Sequence, residues 1–226
     1  MLAPHNACRS KSAGIAKLRQ ARRWVIGCAR ELHADYVHIG IVLDVIEAVI
    51  RRLNNRHYVD PQMLHGLVRF FRDFVQDCHR QKVETLVFPL VAARGTFAER
   101  ETMELLGSQY QSGGALLEEM SLLLMRLPER RDALDTITSV TGRYIEHNRR
   151  HFATERVLLQ DFLGRALTEA EDEDLVADFA RLERDRIGPT AREWYTQRIL
   201  DYRNIVSTWS NPLPKFCAPC GPEARR

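Results

Sequence analysis

The chain has 226 residues, of which 45% are hydrophobic, and its 33 basic and 30 acidic side chains leave a formal charge of only +3. This length and composition predict one globular domain with a sizeable core, and the small charge gives no reason to expect a nucleic-acid partner. Charged residues interrupt every apolar run before it reaches the roughly 20 residues that a membrane span requires. The five cysteines are an odd number in a chain large enough to fold without disulfides, so they favour a reducing cytoplasm.

Residues 1–30 contain no Asp or Glu but seven Lys or Arg side chains. Such a composition is typical of a transit peptide or of an arm that binds nucleic acid. Ile15, Leu18, Val25 and Leu32 recur at roughly helical spacing, however, and favour a first helix that starts early. We therefore predict that residues 1–30 are a basic N-terminal extension that leads into this helix.

Helical periodicity dominates the rest of the chain. The first predicted helix ends at Asn54, and its apolar residues recur on one face. These are Leu32, Ile39, Leu43, Ile46 and Ile50. Asp60 and Pro61 are the residue types preferred at an N-cap and at the first helical position, so they predict the start of a second helix, which extends to Gly95. Pro89 lies inside this helix and predicts a kink.

A third and a fourth helix follow. Thr96 and Glu99 form a capping-box pattern ahead of the third helix, which is predicted to stop near Pro128. The fourth is predicted over about 131–167 from the apolar face that runs through it.

Thr168 and Glu171 give a second capping-box pattern, ahead of a fifth helical segment that ends at Gly188. Four long helices with short connections predict an all-α fold, an up-and-down four-helix bundle with an additional C-terminal helix packed across it. We assign residues 31–205 to the bundle and 206–226 to a tail that contains prolines and the Cys217 and Cys220 pair. A single C-x-x-C outside a βαβ unit is weak evidence for redox chemistry.

Two of the predicted helices carry an inward histidine followed by an acidic residue and an apolar run. On the second helix this segment is CHRQKVETLVFP, which contains His79, and on the fourth it is RHFATERVLL, which contains His151 and Glu155. Because His151 and Glu155 are four residues apart, they share a helix face and could both reach one metal ion.

These two segments resemble the hemerythrin-like, or HHE cation-binding, family. Similar segments are LHADYVHIGIVLDVIE on the first helix, LLGSQYQSGGALL on the third and ERDRIGPTAREWY near the end. The resemblance covers about residues 32–200. It implies a four-helix bundle around a di-iron centre, with a function in handling oxygen, nitric oxide or peroxide, or in sensing or storing iron.

Half of the ligand pattern that the resemblance implies is retained. His151 and Glu155 match the His-x-x-x-Glu pair of the family's fourth helix, and His79 matches the ligand histidine of the second. The bridging glutamate of the second helix falls at Val83.

Tyrosines occupy the other two changed positions. Tyr36 stands where the family has a histidine on the first helix, and Tyr110 where it has one on the third. Three of the six ligand positions have therefore changed.

The remaining donors predict at most one metal ion. One inward glutamate is too little for a di-iron centre, which usually needs two bridging carboxylates. His79, His151 and Glu155 form the two-histidine, one-carboxylate set that suits non-heme iron, so a mononuclear iron site is favoured over a di-iron one. Tyr36 or Tyr110 could add a phenolate to ferric iron, which predicts a coloured protein.

Three further side chains are secondary candidates for the metal. Glu84 lies one residue after the family's glutamate position and would need a local bulge to face His79. His147 precedes His151 by one turn, and His33 lies close to Tyr36. Cys78 adjoins His79 and is predicted to be a small core residue.

The alternative is a metal-free pseudo-hemerythrin bundle that serves as an interaction or structural module. In it, Glu155 would pair with a protonated histidine while the tyrosine hydroxyls complete the hydrogen bonds. No phosphate-binding glycine loop, HExxH or Gly-x-Ser-x-Gly motif is found, so enzyme activity is not predicted. The metal-binding interpretation implies a small diatomic ligand or peroxide as partner; the sequence leaves the oligomeric state open.

Overall fold

The computed structural model of the protein describes residues 27–126 and 134–209. Within these two ranges the chain is helical apart from short turns, and it contains no strand. The protein is therefore all-α, as predicted. Most of the basic extension, the predicted helix boundaries near Pro128 and Arg131, and the Cys217 and Cys220 pair lie outside the described residues.

The first helix, α1, spans Gly27–Asn54, and the predicted end at Asn54 is confirmed. Arg56, in the turn that follows, has a φ of 61°. α1 packs against four later helices, two of them at the C-terminal end of the chain. The apolar face predicted from Leu32 to Ile50 is buried.

The second long helix is continuous from Pro61 to Arg94 but changes its winding along its length. It consists of α2 (Pro61–Arg69), π-helical segments at Phe70–His79 and Lys82–Val87, and α3 (Phe88–Arg94). Asp60 caps it as predicted, since its side chain accepts a hydrogen bond of 2.9 Å from the Gln62 amide. The π-helical winding, which was not predicted, is typical of functional sites.

The third and fourth helices are α4 (Phe97–Arg126) and α5 (Leu134–Ala166). The predicted capping box at the start of α4 is confirmed. The Thr96 amide donates to Glu99 Oε2 over 2.7 Å, and the Glu99 amide donates to Thr96 Oγ1 over 3.3 Å. α4 and α5 pack against each other.

Two helices, not one, follow α5. α6 spans Glu169–Ile187 and begins at the predicted capping box of Thr168 and Glu171. It ends at Gly188, whose φ of 100° favours glycine. The chain then forms α7 over Ala191–Ser207, so the prediction of a single additional helix is incomplete.

The core joins these helices through aromatic and branched side chains. Phe70, Phe71, Phe74, Tyr144 and Phe162 are among its largest fully buried members. Tyr144 packs edge-on against Phe71, with 5.0 Å between ring centres. Among the helices described, none is long and apolar enough to cross a membrane.

Candidate functional site

Four polar side chains converge on the buried carboxylate of Glu155. Tyr36 on α1 donates its hydroxyl to Glu155 Oε1 over 2.9 Å, and Tyr110 on α4 donates to Oε2. His79 on the second long helix places Nε2 2.9 Å from Oε1, and His151, one turn before Glu155 on α5, places Nε2 3.3 Å from Oε2. We call these five residues the Glu155 cluster; each is at most 7% exposed.

His79 joins two carboxylates through its two ring nitrogens. Its Nδ1 lies 3.2 Å from Asp35 Oδ2, while its Nε2 lies against Glu155. Burial alone would lower the pKa of His79, but the hydrogen bonds and negative charges of Asp35 and Glu155 raise it from 6.5 to about 9. At neutral pH, the ring therefore carries a proton on each nitrogen.

Glu155 and Asp35 are correspondingly ionised. Burial would raise the pKa of both carboxyl groups. For Glu155, the imidazoles of His151 and His79 outweigh burial and lower the pKa. For Asp35, Lys82 and His79 lower it.

His151 has one satisfied and one unsatisfied ring nitrogen. Its Nδ1 lies 3.1 Å from Oε1 of Gln109 on α4. Its Nε2 is buried and has no hydrogen-bond partner, since the nearby Glu155 oxygen is outside hydrogen-bonding geometry. Such an atom costs free energy unless a proton or another cation lies between it and the carboxylate.

A second layer of charge surrounds Asp35 behind His79. Lys82 Nζ lies 3.4 Å from Asp35 Oδ2 and 2.8 Å from Glu183 Oε2 on α6. Arg192 on α7 bonds Asp35 Oδ1 over 2.9 Å and Glu183 Oε2 over 2.6 Å. We call Asp35, Lys82, Glu183 and Arg192 the Asp35 network; it connects the two C-terminal helices to the Glu155 cluster.

The fixed cations of the cluster and network are one fewer than the carboxylates. Glu155, Asp35 and Glu183 are three carboxylates, whereas Lys82 and Arg192 are the two fixed cations. One negative charge is left, and the proton on His79 balances it. A buried charge needs such compensation.

Both tyrosines of the cluster are neutral donors in this arrangement. Burial, followed by the negative charge of Glu155, raises the pKa of Tyr36 and of Tyr110 well above the ordinary value. Phe152 closes the cluster on one side, with its ring centre 5.5 Å from that of His79 and 5.0 Å from that of His151. The cluster is therefore enclosed by protein side chains.

The structure thus brings together the five principal residues that the sequence identified. The three secondary candidates have other environments. Glu84 pairs with Arg80 Nε over 2.6 Å and is partly exposed. His147 Nε2 donates to the Gln109 carbonyl over 2.8 Å. His33 is partly buried, and its pKa is lowered by burial and by Arg156.

Cys78, next to His79, is a buried free thiol. Burial raises its pKa to about 12, so it is a thiol at neutral pH. It fits the prediction of a small core residue.

Sequence reasoning missed the Asp35 network and Gln109. The signal was nevertheless present, because the motifs that carry the family resemblance contain all four network residues. Asp35 precedes Tyr36, Lys82 lies in CHRQK, and Glu183 and Arg192 lie in ERDRIGPTAREWY. A buried Lys is rare unless it is paired, so its acidic partners could have been sought among these motifs.

The described residues lack part of the ligand set that a di-iron centre would use. Across residues 27–126 and 134–209, no group of three or more His, Cys, Asp or Glu side chains is arranged to hold a metal ion. Val83, at the family's bridging position, is fully buried and apolar. The charge left over in the cluster also matches one proton or one ion, not two irons.

A single ion fits the donors only if the tyrosine oxygens take part. The 2.9 Å between His79 Nε2 and Glu155 Oε1, and between Tyr36 Oη and the same oxygen, is close to the separation of neighbouring ligands on one ion. Two atoms at a right angle, each about 2.1 Å from an ion, are about 3.0 Å apart. Asp35 also occupies the position of the carboxylate that commonly orients a metal-binding histidine.

The described fold and site define an all-α protein with a buried cluster of carboxylate, imidazole and phenol groups. Comparison of the chain with models of known protein families, with curated proteins and with solved structures finds no match.

Proposed function

We propose that this chain is a hemerythrin-like metal-binding protein that holds one non-heme iron ion in the Glu155 cluster. The bundle would be an up-and-down four-helix bundle of α1, the second long helix, α4 and α5, each of which supplies at least one residue of the cluster. The observation that carries the proposal is the unsatisfied Nε2 of His151, buried beside a carboxylate whose surroundings leave one negative charge without a fixed cation.

The two histidines and Glu155 would be the principal ligands. His79 would bind through Nε2 after losing its proton, while Nδ1–H continues to donate to Asp35. Gln109 would hold His151 in the tautomer that leaves Nε2 free for the ion. Glu155 would supply the carboxylate.

Tyr36 and Tyr110 would supply anionic oxygens in place of the carboxylate that is missing at Val83. Their hydroxyls already lie on the two oxygens of Glu155. If both lose their protons, the cluster and network together carry three uncompensated negative charges, which matches one ferric ion. Two phenolates would therefore favour the ferric state.

The bound ion would supply Lewis-acid and one-electron chemistry, while the chain controls access to it. The buried aromatic rings of Phe152, Tyr36 and Tyr110 pack around the cluster. Such an enclosed site suits a small diatomic ligand or peroxide better than a larger substrate. We propose a role in sensing or handling one of these ligands, or iron itself.

The absorption spectrum of the iron-loaded protein tests the tyrosine ligation. We expect a visible phenolate-to-iron band, which Tyr36→Phe combined with Tyr110→Phe abolishes and Tyr58→Phe, on an exposed ring, leaves unchanged. Glu155→Gln should abolish iron retention as well as the band. A band that survives the double variant would refute tyrosine ligation, and failure of the parent chain to retain iron would refute the proposal.

The second candidate function is a metal-free module for interaction or structure. Two observations favour it: both nitrogens of His79 already contact carboxylates, and the described residues lack a conventional set of His, Cys, Asp and Glu ligands. In this case, the proton on His79 would be the permanent counter-charge. Absence of iron after loading would support this candidate.

A further inference from the structure

A cleft lined by arginine and aromatic side chains lies away from the Glu155 cluster. It has a volume of about 550 Å³ and is formed by the end of α1, the start of the second long helix and α7. Cavities of a few hundred Å³ are the usual size of small-molecule sites. Three guanidinium groups, those of Arg52, Arg69 and Arg198, line it, against the single carboxylate of Asp60.

The arginines of this cleft outnumber the carboxylates beside them. Asp60 supplies one negative charge, and its Oδ1 accepts the hydrogen bond that caps the second long helix. Arg69 pairs with Asp73, but Arg52 and Arg198 make no salt bridge within the described residues. An anion that entered the cleft would meet two guanidinium groups with donors to offer.

Aromatic rings hold these arginines in place. The Arg52 guanidinium lies 4.6 Å from the ring centre of Trp209, and its Nε donates to the Tyr58 carbonyl over 2.9 Å. Arg198 lies 5.4 Å from the ring centre of Trp194, and Arg69 lies 5.7 Å from it. A guanidinium stacked on an aromatic ring keeps its edge donors available for an anion and loses less conformational entropy on binding.

The cleft also offers an unoccupied aromatic face. Tyr58 is 73% exposed. Its ring lines the same cleft as Met63 and Ile205. A flat ring could stack there while its charged group reaches the arginines.

We propose that this cleft binds a nucleoside phosphate, with the phosphate on Arg52 and Arg198 and the base against Tyr58. A phosphate carries up to two negative charges and several acceptor oxygens, so it can use more than one guanidinium group at once. The limited volume favours a mononucleotide over a strand of nucleic acid. This site is independent of the Glu155 cluster.

Isothermal titration calorimetry of the full chain with AMP tests the assignment. We expect saturable binding that Arg52→Gln and Arg198→Gln each weaken at least tenfold, whereas Arg203→Gln, on the same helix as Arg198 but outside the cleft, has no effect. Tyr58→Ala should weaken binding of AMP but leave binding of inorganic phosphate unchanged. Thermal unfolding of each variant ensures that loss of binding is not loss of fold.

Four results would overturn the proposal. The first is that AMP shows no saturable binding, and the second is that Arg203→Gln weakens AMP binding as much as Arg198→Gln does. The third is that inorganic phosphate binds as tightly as AMP. The fourth is that adenylate oligonucleotides bind with an affinity that rises steadily with their length. The third would leave an anion site without base recognition, and the fourth would identify a single strand of nucleic acid as the ligand.

Discussion

His79 Nε2 lies 2.9 Å from Glu155 Oε1 in an interior where neither side chain is exposed to solvent. This contact joins the second long helix to α5, and the proton on His79 balances the negative charge that Lys82 and Arg192 leave. We expect both His79 and Glu155 to be needed for a stable cluster, whether it holds this proton or an iron ion.

Removal of His79 should therefore destabilise the metal-free protein. His79→Ala leaves Glu155 and Asp35 ionised, buried and short of a positive partner, which we expect to lower the free energy of unfolding by about 3–5 kcal/mol. Urea denaturation in the presence of a chelator measures this change in the free energy of unfolding. His57→Ala, on an exposed side chain, is the control. A change below about 1 kcal/mol for His79→Ala would contradict the charge-balance account.

The stability of the metal-free protein should also decrease at alkaline pH. The pKa of His79 is raised from 6.5 to about 9 in the folded state, so folding favours the protonated ring. This contribution is complete below about pH 6.5 and is lost as the pH rises through about 9; Asp35 and Glu155 remain ionised over this window because their pKa values are lowered. Urea titrations between pH 6 and 10 should show the decrease in the parent chain and a flatter profile in His79→Gln. Equal profiles would show that His79 does not titrate as proposed.

Gly66 lies against Tyr202, and both residues line the cleft that contains Arg52 and Arg198. A Cβ on Gly66 would meet the Tyr202 hydroxyl oxygen at 1.8 Å and Cζ at 2.9 Å. We expect Gly66→Ala to lower the free energy of unfolding by roughly 1–3 kcal/mol through overpacking. Tyr202→Phe in the same chain should recover part of this loss, because it removes the nearer atom.

Gly107, in the middle of α4, is the matched control for this effect. A Cβ there would meet nothing within 4 Å. Gly107→Ala should raise the free energy of unfolding by about 0.5–1 kcal/mol, since alanine loses less backbone entropy in a helix. Equal free energies of unfolding for Gly66→Ala and Gly107→Ala would show that Gly66 does not approach Tyr202 as closely as described.

The helix pattern could be predicted from the sequence because its signals are local. Asp60 with Pro61, Thr96 with Glu99, and Thr168 with Glu171 act within a few residues of each other, and the structure confirms each as a helix start. The π-helical winding before Pro89 has no comparable local signal in the sequence.

The sequence pointed to side chains that lie together in the structure, but not to the partners that surround them. The family resemblance brought Tyr36, His79 and Glu155 together, because each fills a matched position of the pattern. It gave no reason to pair Lys82 with Glu183, 101 residues later, or to place Arg192 on Asp35. These contacts depend on where α6 and α7 pack, which local periodicity does not determine.

On the proposed hemerythrin-like assignment, introducing the family's ligand types at the three changed positions should convert the cluster to a two-iron site. Tyr36→His, Val83→Glu and Tyr110→His together return the pattern of the family that the chain resembles. We expect this triple variant to bind two irons per chain, with Val83→Glu alone less stable than the parent chain because it buries an unpaired carboxylate. A triple variant that folds but binds no more iron than the parent chain would show that the resemblance does not extend to the ligand geometry.

The number of iron atoms per chain tests the central claim most directly. The protein is expressed with added iron, freed of loosely bound metal and then submitted to elemental analysis. We expect close to one iron per chain for the parent and none for Glu155→Gln. The control variant Glu84→Gln should bind as much iron as the parent. Two irons in the parent chain would contradict the single-ion account, and none would show that the proton on His79 is the only counter-charge the cluster holds.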